Sequence, residues 1–532
     1  MSIRIPAAFP RMCERAGVVP KQHQLEGIRW MVEKERCGGN TIHGGILADD
    51  MGMGKTLQVL GTMVLNPVPT LIVVPVLLVD QWAEIFRTYL GHTPLVYHGH
   101  KKRTMREDVF ANAPVVITTY GTTVPNKKSM SPNLLFSRTW GRVVYNEAHR
   151  LRNRATAVYH SAESLKTDRL WLVTGTLVQN NIGDLRTLFR LLDVNVPTYI
   201  HLKVAVQQHV LRRQKTDTVG GSPVPKSSRV CVPWSRPREK QSAQNVHVGA
   251  GKMTADRIHI FGSKEMDSVV DMVVCAGIGS ADTRVMDLIG EFVGQETCDD
   301  SPCAVEERTV MMDCAARAAN VAAEKLAEAT DDDELPNQCV LRDYNTMRKA
   351  CVVGVGGGVS SKMRGVIDNI ASKFGNGHDK LVFTNYRREV SVLGTALTER
   401  GFRVAVIDGR VSRAKRRRVV AGLTSGDIAG QGKTVLLVHI RAGNEGLNLQ
   451  MLSEVYFTCP NWNPSMEAQA VARCDRMGQK KQVSVYRFSM EGFGAGTTKS
   501  VRSIDEYVEE KQRQKGRVIR DVDMLPNVAA KR

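Results

Sequence analysis

The sequence predicts an α/β protein: two tandem, doubly wound lobes with a mostly helical accessory region between them. Continuous apolar runs such as Thr70–Val74 and Thr434–Val438 read as strands buried on both faces, the form that parallel sheets take. These runs alternate with helix-spaced segments in two series, one ending near residue 195 and one starting near residue 380. A loop of phosphate-binding form occurs in the first series only. The boundaries drawn from these shifts are an N-terminal extension over 1–20, a first lobe over 21–215, a linker and helical accessory region over 216–355, a second lobe over 356–515 and a basic tail over 516–532.

The first lobe opens with an amphipathic helix over 21–35, whose Leu25, Ile28, Met31 and Val32 share one face, and which carries Gln24. Gly44–Thr56 then gives the order strand, glycine loop, helix. Such a loop turns successive backbone N–H groups towards an anion at a helix N-terminus. Lys55 is placed to reach the β- and γ-phosphates of a nucleotide, and the Thr56 hydroxyl to sit on Mg²⁺. The generic pattern GxxxxGK[ST] fails at its first position, where Asp49 stands. Further strands are predicted at Pro69–Pro75, Pro94–Tyr97, Pro114–Tyr120 and Trp140–Tyr145. The last runs into Asn146-Glu147-Ala148-His149. An acid at the carboxyl end of a buried strand, in a sheet that also carries a phosphate loop, can orient and deprotonate an attacking water while its neighbour holds the metal's hydration shell. Glu147 fits the first role; the second, usually an Asp, falls to Asn146. Trp171–Val173 ends in the small polar turn Thr174-Gly175-Thr176.

Composition narrows the class. A chain of 532 residues is too long for one core. Its 42% hydrophobic and 24% charged residues are the proportions of a soluble globular protein, and no apolar run approaches the ~18 residues of a membrane span. Met1–Val19 has no signal-peptide core, so an intracellular protein is expected, not a secreted one. A net charge of +19 favours a polyanionic partner, most simply nucleic acid; the plain alternative is charge that only maintains solubility. The 11 cysteines include no CxxC pair and read as reduced thiols. Cys275, Cys298, Cys303 and Cys314 fit no usual tetrahedral spacing, so no structural zinc is expected.

Val210–Lys215 closes the first lobe, and Gly220–Pro225 is a breaker-rich linker. In the accessory region Asp313–Thr330 reads as an alanine-rich helix, Asp331–Glu334 as an acidic turn and Gly354–Gly358 as a hinge. Strands of the second lobe are predicted at Lys380–Thr384, Phe402–Ile407, Thr434–Val438, Glu454–Phe457 and Val483–Phe488. Lys415–Arg418 lies on a helix, as a solvated face or a nuclear-localisation run. Gln469, Arg473 and Arg476 fall on a helix and the turn after it. Two such lobes, one with a phosphate loop, imply a nucleotide held at their interface.

These blocks, in this order, resemble the Swi/Snf-type DNA-dependent ATPases of helicase superfamily two, from about residue 20 to 515. GGILADDMGMGKTLQ is similar to the family's first motif, in which an Asp at position 49 is normal. LIVVPVLLVDQW, NEAH, VTGTLVQNNIGDL and VLRRQKTD resemble the motifs that follow. KLVFTNYRREV, VIDGRVSRAKRR, VHIRAGNEGLNLQ and NWNPSMEAQAVARCDRMGQ resemble those of the second lobe. The resemblance implies RecA-like lobes and site roles. Gln24 recognises adenine; Asp49, Met51, Gly52, Met53, Gly54, Lys55 and Thr56 hold ATP; Thr56, Asn146 and Glu147 attend Mg²⁺. Glu147 activates water, and Arg473 and Arg476 are arginine fingers. Thr174, Gly175, Thr176, Arg212, Arg213, Asn448 and Gln469 couple nucleotide to DNA. Partners implied are double-stranded DNA, gripped through its phosphates, and DNA-bound proteins as substrates. Several blocks look closest to the damage-tolerance and transcription-termination subgroup, without the paired Cys/His ligands of a RING finger.

Asn146 for Asp, Leu177 for Pro and Asn444-Glu445 for two small residues depart from the family pattern. Two readings follow. One is a DNA-stimulated ATPase that translocates on duplex DNA and remodels or displaces bound proteins, in chromatin remodelling or DNA repair, and in the nucleus of a eukaryote or of a virus's host. The other is a catalytically weakened ATP- and DNA-binding regulatory factor.

Overall fold

The computed structural model describes residues 7–36, 43–99, 102, 104–125, 133–179, 181–215, 225–244, 347–352, 359–409, 411, 413–423, 431–440, 449–476, 479, 481–492 and 503–523. Asp313–Thr330, Asp331–Glu334, Gly354–Gly358 and Arg441–Asn448 lie outside the described residues.

The first sheet has seven strands: β1 (His43–Leu47), β2 (Thr70–Val74), β3 (Leu95–Val96), β4 (Val115–Thr119), β5 (Arg142–Asn146), β6 (Arg169–Val173) and β7 (Val210–Leu211). Their spatial order is β3-β4-β2-β5-β6-β1-β7, and neighbouring strands pair in parallel. Successive side chains of a strand point to opposite faces, so each strand feeds two cores. Leu71 and Val73 of β2 join Val143 and Tyr145 of β5 on one side, while Ile72 and Val74 join Val144 on the other. That double burial is why the strands read as unbroken apolar runs.

The second sheet has six strands in the order β10-β11-β9-β12-β13-β8. They are β8 (Lys226–Val232), β9 (Lys380–Thr384), β10 (Arg403–Ile407), β11 (Thr434–His439), β12 (Glu454–Phe457) and β13 (Ser484–Met490). Leu381, Phe383, Leu436, Val438, Val455 and Phe457 share its core.

Three segments differ from the boundaries drawn on the sequence. Residues 226–232, assigned to the linker and accessory region, form β8; its exposed, polar, alternating pattern is that of an edge strand, not of the buried runs used as the strand signal. The N-terminal extension contains the helix Ala8–Ala16, which buries Phe9, Met12 and Cys13, at i, i+3 and i+4, in the first lobe's core. Residues 516–523, assigned to the tail, continue the helix Ile504–Asp523. In the basic run, Arg416 is buried and donates to the carbonyls of Val411 and Asp408 at 2.9 and 3.1 Å, so the run is not one solvated face.

By contacts the chain divides into two compact units. Both sheets lie almost wholly in the first, made of 1–230, 366–489 and 508–532. The second comprises 231–365 and 490–507. Within it a fully buried ion pair joins Lys362 to Asp505, whose carboxylate also accepts from the Met490 backbone N–H at 2.9 Å. Glu239 caps the start of the helix at Ser361, accepting from its N–H at 2.9 Å and its hydroxyl at 2.8 Å.

Candidate active site

The carboxyl ends of β1, β5 and β6 lie side by side in the first sheet and carry the phosphate loop, the Asn146-Glu147 pair and the Thr174-Gly175-Thr176 turn. This is where ligands bind in open parallel sheets. The loop leaves β1 at Ala48 and enters the helix Lys55–Leu65 through Gly52 and Gly54, at φ +90° and +82°. Side chains other than glycine's resist that left-handed backbone, so both glycines are needed where the loop reverses.

Asp49 explains itself in three dimensions. Its carboxylate is fully buried and accepts from Gln58 Nε2 at 2.9 Å, from the Arg213 backbone N–H at 3.1 Å, and from Arg213 Nε and Nη2 at 2.9 and 2.5 Å. The forked contact of a guanidinium with a carboxylate is the strongest ion-pair geometry available to side chains. Arg213 also donates to the His23 carbonyl and, at 3.0 Å, to Gln58 Oε1. Its neighbour Arg212 donates to the Ala48 carbonyl at 3.0 Å and lies 3.6 Å from Asp50. Backbone pairing runs alongside: Ala48 N–H to Leu211 O at 2.8 Å and Asp50 N–H to Arg213 O at 3.0 Å. The loop's far end is held by His23 Nε2 and Gln24 Nε2, at 3.0 and 3.1 Å from the Met53 carbonyl.

Lys55 Nζ donates to the carbonyls of Asp49 and Asp50 at 2.6 and 3.1 Å. Burial lowers its pKa, and nearby Glu147 is the largest opposing influence. Gly175 covers this amine. A Cβ there would fall 2.4 Å from Met51 Cγ and 3.3 Å from Lys55 Nζ, so an added side chain would displace the Met51 side chain and press on the amine.

Glu147 adopts φ +63°, ψ +51°, a left-handed conformation that costs a non-glycine residue about 1–2 kcal/mol. Tyr120 OH donates to the preceding Asn146 carbonyl at 2.8 Å and fixes the strand end from which the turn departs. The Glu147 carboxylate lies 3.4 Å from His149 Nδ1. That nitrogen is also 3.3 Å from Thr174 Oγ1 and 3.4 Å from Thr176 Oγ1. Burial pulls the His149 pKa down to about 4, so the ring is neutral at pH 7. The chain of contacts continues from Thr176 Oγ1 to Gln179 Nε2 at 3.5 Å, and from Gln179 Oε1 to Arg152 at 2.6 Å and Asn463 Nδ2 at 3.4 Å.

Arg473 and Arg476 stand on the turn after the helix Pro464–Val471. Burial lowers both pKa values, Arg476 to about 10, with Arg473 as the next influence on it. Both feel the Glu147 charge. Lys55, Arg473 and Arg476 thus all feel the Glu147 charge, and each is disfavoured by desolvation; Lys55 also has Asp49 and Asp50 close by. Desolvated cations beside a phosphate loop suit a polyanionic ligand.

The structure thus gathers Asp49, Met51, Gly52, Met53, Gly54, Lys55, Thr56, Gln24, Asn146, Glu147, Thr174, Gly175, Thr176, Arg473 and Arg476 at one sheet edge. Arg212 and Arg213, grouped above with the residues that couple nucleotide to DNA, make their contacts to the phosphate loop, and Arg213 is only 6% exposed. Gln469 is buried, and its amide nitrogen makes no hydrogen bond among the described residues. Asn448 lies outside them. Gln58, His149, Gln179, Lys215 and Asp475 had no assigned role; all sit inside quoted motifs, but their contacts are long-range and leave no spacing to read. Among the described residues no group of three His, Cys, Asp or Glu side chains is arranged for a metal.

A family model described as SNF2-related domain matches residues 23–228, and one described as Helicase conserved C-terminal domain matches 361–478. "ATP-dependent DNA helicase DDM1" of Arabidopsis thaliana is 26% identical over 514 residues, which cover 88% of this chain and 58% of that protein. "Probable global transactivator" of Orgyia pseudotsugata multicapsid polyhedrosis virus is 26% identical over 520 residues, covering 93% of this chain and 89% of the viral protein. A solved structure, the "Sulfolobus solfataricus SWI2/SNF2 ATPase core in complex with dsDNA", aligns over 98% of this chain and 97% of its own at 17% identity and a TM-score of 0.38. A score that low leaves the fold to rest on the two sheets themselves. With an SNF2-related domain matched across its first lobe and a helicase C-terminal domain across its second, the chain belongs to the Swi/Snf-type ATPases.

Proposed function

We propose that the protein is an ATP-dependent translocase on double-stranded DNA that remodels or displaces DNA-bound proteins. The observation that carries the reading is the turn of Arg473 and Arg476 set against the phosphate loop at Gly52, with Lys55 held inside that loop and Glu147 acting on all three cations. In this reading the loop's N–H groups and Lys55 hold the triphosphate, and Gln24, fixed on Met53, borders the base. Glu147 orients the attacking water and takes its proton. Arg473 and Arg476 neutralise charge that grows on the γ-phosphoryl oxygens, and Lys55 does so from the opposite side. Phosphoryl transfer needs little beyond such positioning and charge.

The oxygen donors at the site fit Mg²⁺, a hard cation that keeps several waters and phosphate oxygens. The Thr56 hydroxyl and the Asn146 amide oxygen would hold it, and when bound it supplies charge neutralisation at the phosphates. Asn146 contributes no negative charge, and that one residue favours the second reading, a weakened ATP- and DNA-binding regulatory factor.

Coupling would run through the contacts of Glu147, His149, Thr174, Thr176 and Gln179 to Asn463 beyond them. A chain of +19 net charge would grip duplex phosphates, with affinity falling steeply as salt rises and little preference for sequence. In a eukaryote, or for a virus whose DNA is in the nucleus, such a motor would act in the nucleus. No described helix is long and apolar enough to cross a membrane.

The test is ATP turnover by the full chain with and without duplex DNA, beside Lys55→Ala and Asn146→Asp. DNA-stimulated turnover that Lys55→Ala abolishes supports the motor. No stimulated turnover in the natural chain, restored by Asn146→Asp, establishes the regulatory factor instead.

A further inference from the structure

The turn that bears Arg473 and Arg476 carries two like charges, and Arg473 is the largest influence after burial that disfavours the charge on Arg476. The geometry shows what holds this turn in place. Asp475 lies between the two arginines in sequence and is 5% exposed. Its carboxylate is ion-paired with Lys215, whose ammonium also donates to the Asp475 carbonyl at 2.7 Å. Lys215 is in turn fixed to the phosphate loop: its backbone N–H donates to Asp50 Oδ2 at 3.2 Å. The backbones approach closely at this point. A Cβ on Gly52 would lie 3.5 Å from both the Asp475 carbonyl oxygen and Arg476 Cα, and 3.6 Å from Lys215 Cε.

We propose that Lys215 and Asp475 are positioning residues for ATP hydrolysis, a tether that seats the arginine-bearing turn on the phosphate loop. The proposal rests on the ATPase reading above. Neither side chain needs to touch the reacting atoms. Lys215 reads the position of the loop through its backbone and transmits it to the turn through its ammonium. Asp475, held by Lys215, fixes the turn that sets where both guanidiniums point. A misplacement of about 1 Å in such a group costs as much as a hundredfold in rate.

Two readouts on the full chain test this. The first is steady-state ATP turnover with saturating duplex DNA. Lys215→Ala and Asp475→Ala each lower kcat about tenfold or more, with the KM for ATP within about twofold. Lys215→Arg, which keeps the charge, retains kcat within about threefold, and the exchange Lys215→Asp with Asp475→Lys recovers most of what either alanine variant loses. The second needs no turnover: amide hydrogen exchange of Arg473–Arg476 without nucleotide, about tenfold faster in Lys215→Ala than in the natural chain. Unchanged kcat and unchanged exchange in both alanine variants overturn the tether, as does an exchanged pair no better than either single variant. Faster exchange in Lys215→Ala, in a chain whose natural form turns over no ATP, leaves the tether standing and sinks the ATPase reading alone.

Discussion

The two halves of the site are built on different principles. The phosphate-loop half is saturated with contacts. Asp49 accepts four hydrogen bonds, Arg212 and Arg213 brace the loop from β7, and His23 with Gln24 hold its far end at Met53. The arginine half is a short turn with two cations that repel each other, placed against the loop at Gly52 and tied there through Lys215 and Asp475. One half is a fixed template; the other is a charge that must be delivered. Catalysis that depends on delivery makes hydrolysis conditional on how the second lobe stands, which is what a motor requires and a simple nucleotide store does not.

The largest test of that contrast is at the delivered charges. Arg473→Ala and Arg476→Ala should each lower DNA-stimulated turnover by about 10³-fold or more, within the ~10³–10⁵ that arginine fingers supply. ATP binding, measured by titration with a fluorescent analogue, should weaken by less than about tenfold, because the template half is untouched. A loss of binding that matches the loss of turnover would place the arginines in the template and erase the distinction.

The template half should break through stability instead. Arg213→Ala strands the fully buried Asp49 carboxylate, and removing one partner of a buried pair costs about 3–5 kcal/mol. The expected result is a fall in the urea midpoint of the first lobe, with turnover lost only in proportion to unfolded protein. Removing both partners, Asp49→Ala with Arg213→Ala, should cost less than the sum of the singles. A full sum would mean that the two side chains stabilise the loop independently.

This same pair marks what the sequence could and could not disclose. Strands β1, β2, β4, β5, β6, β9, β11 and β12 were legible because burial on both faces leaves continuous apolar runs. β8 was not, because an edge strand alternates and exposes Lys226, Ser227 and Arg229 or half-exposes them. The loop glycines, Lys55 and Glu147 were legible because their chemistry is local in sequence. The place of Asp49 was known only as a family habit, since the partner that explains it lies 164 residues away. The contacts of Arg212 and Arg213 were hidden for the same reason: their acceptors, the loop's own carbonyl and carboxylate, lie 164 residues away. Lys215 and Asp475, 260 residues apart, leave no trace in spacing at all.

The smallest effect concerns the residue that links the two principles, His149. It stands on the template half and touches Thr174, Thr176 and Glu147, whose charge both arginines feel. Burial lowers its pKa from 6.5 to about 4; Glu147 opposes the shift, and Arg150 and Arg152 add to it. The unfolded chain therefore binds the proton first. The ring's contribution to stability is complete above about pH 6.5 and is lost as pH falls towards 4, to a limit of about 3 kcal/mol. His23 and His209 are also lowered, so the natural chain should lose stability on acidification from more than one ring. The informative quantity is the difference from His149→Gln, which cannot titrate and keeps a hydrogen-bonding side chain. Urea midpoints at pH 7.5 and pH 5 should fall further in the natural chain than in the variant. Parallel falls would mean that His149 takes its proton without leaving its partners, and would remove the neutral ring from the link between Glu147 and the threonines.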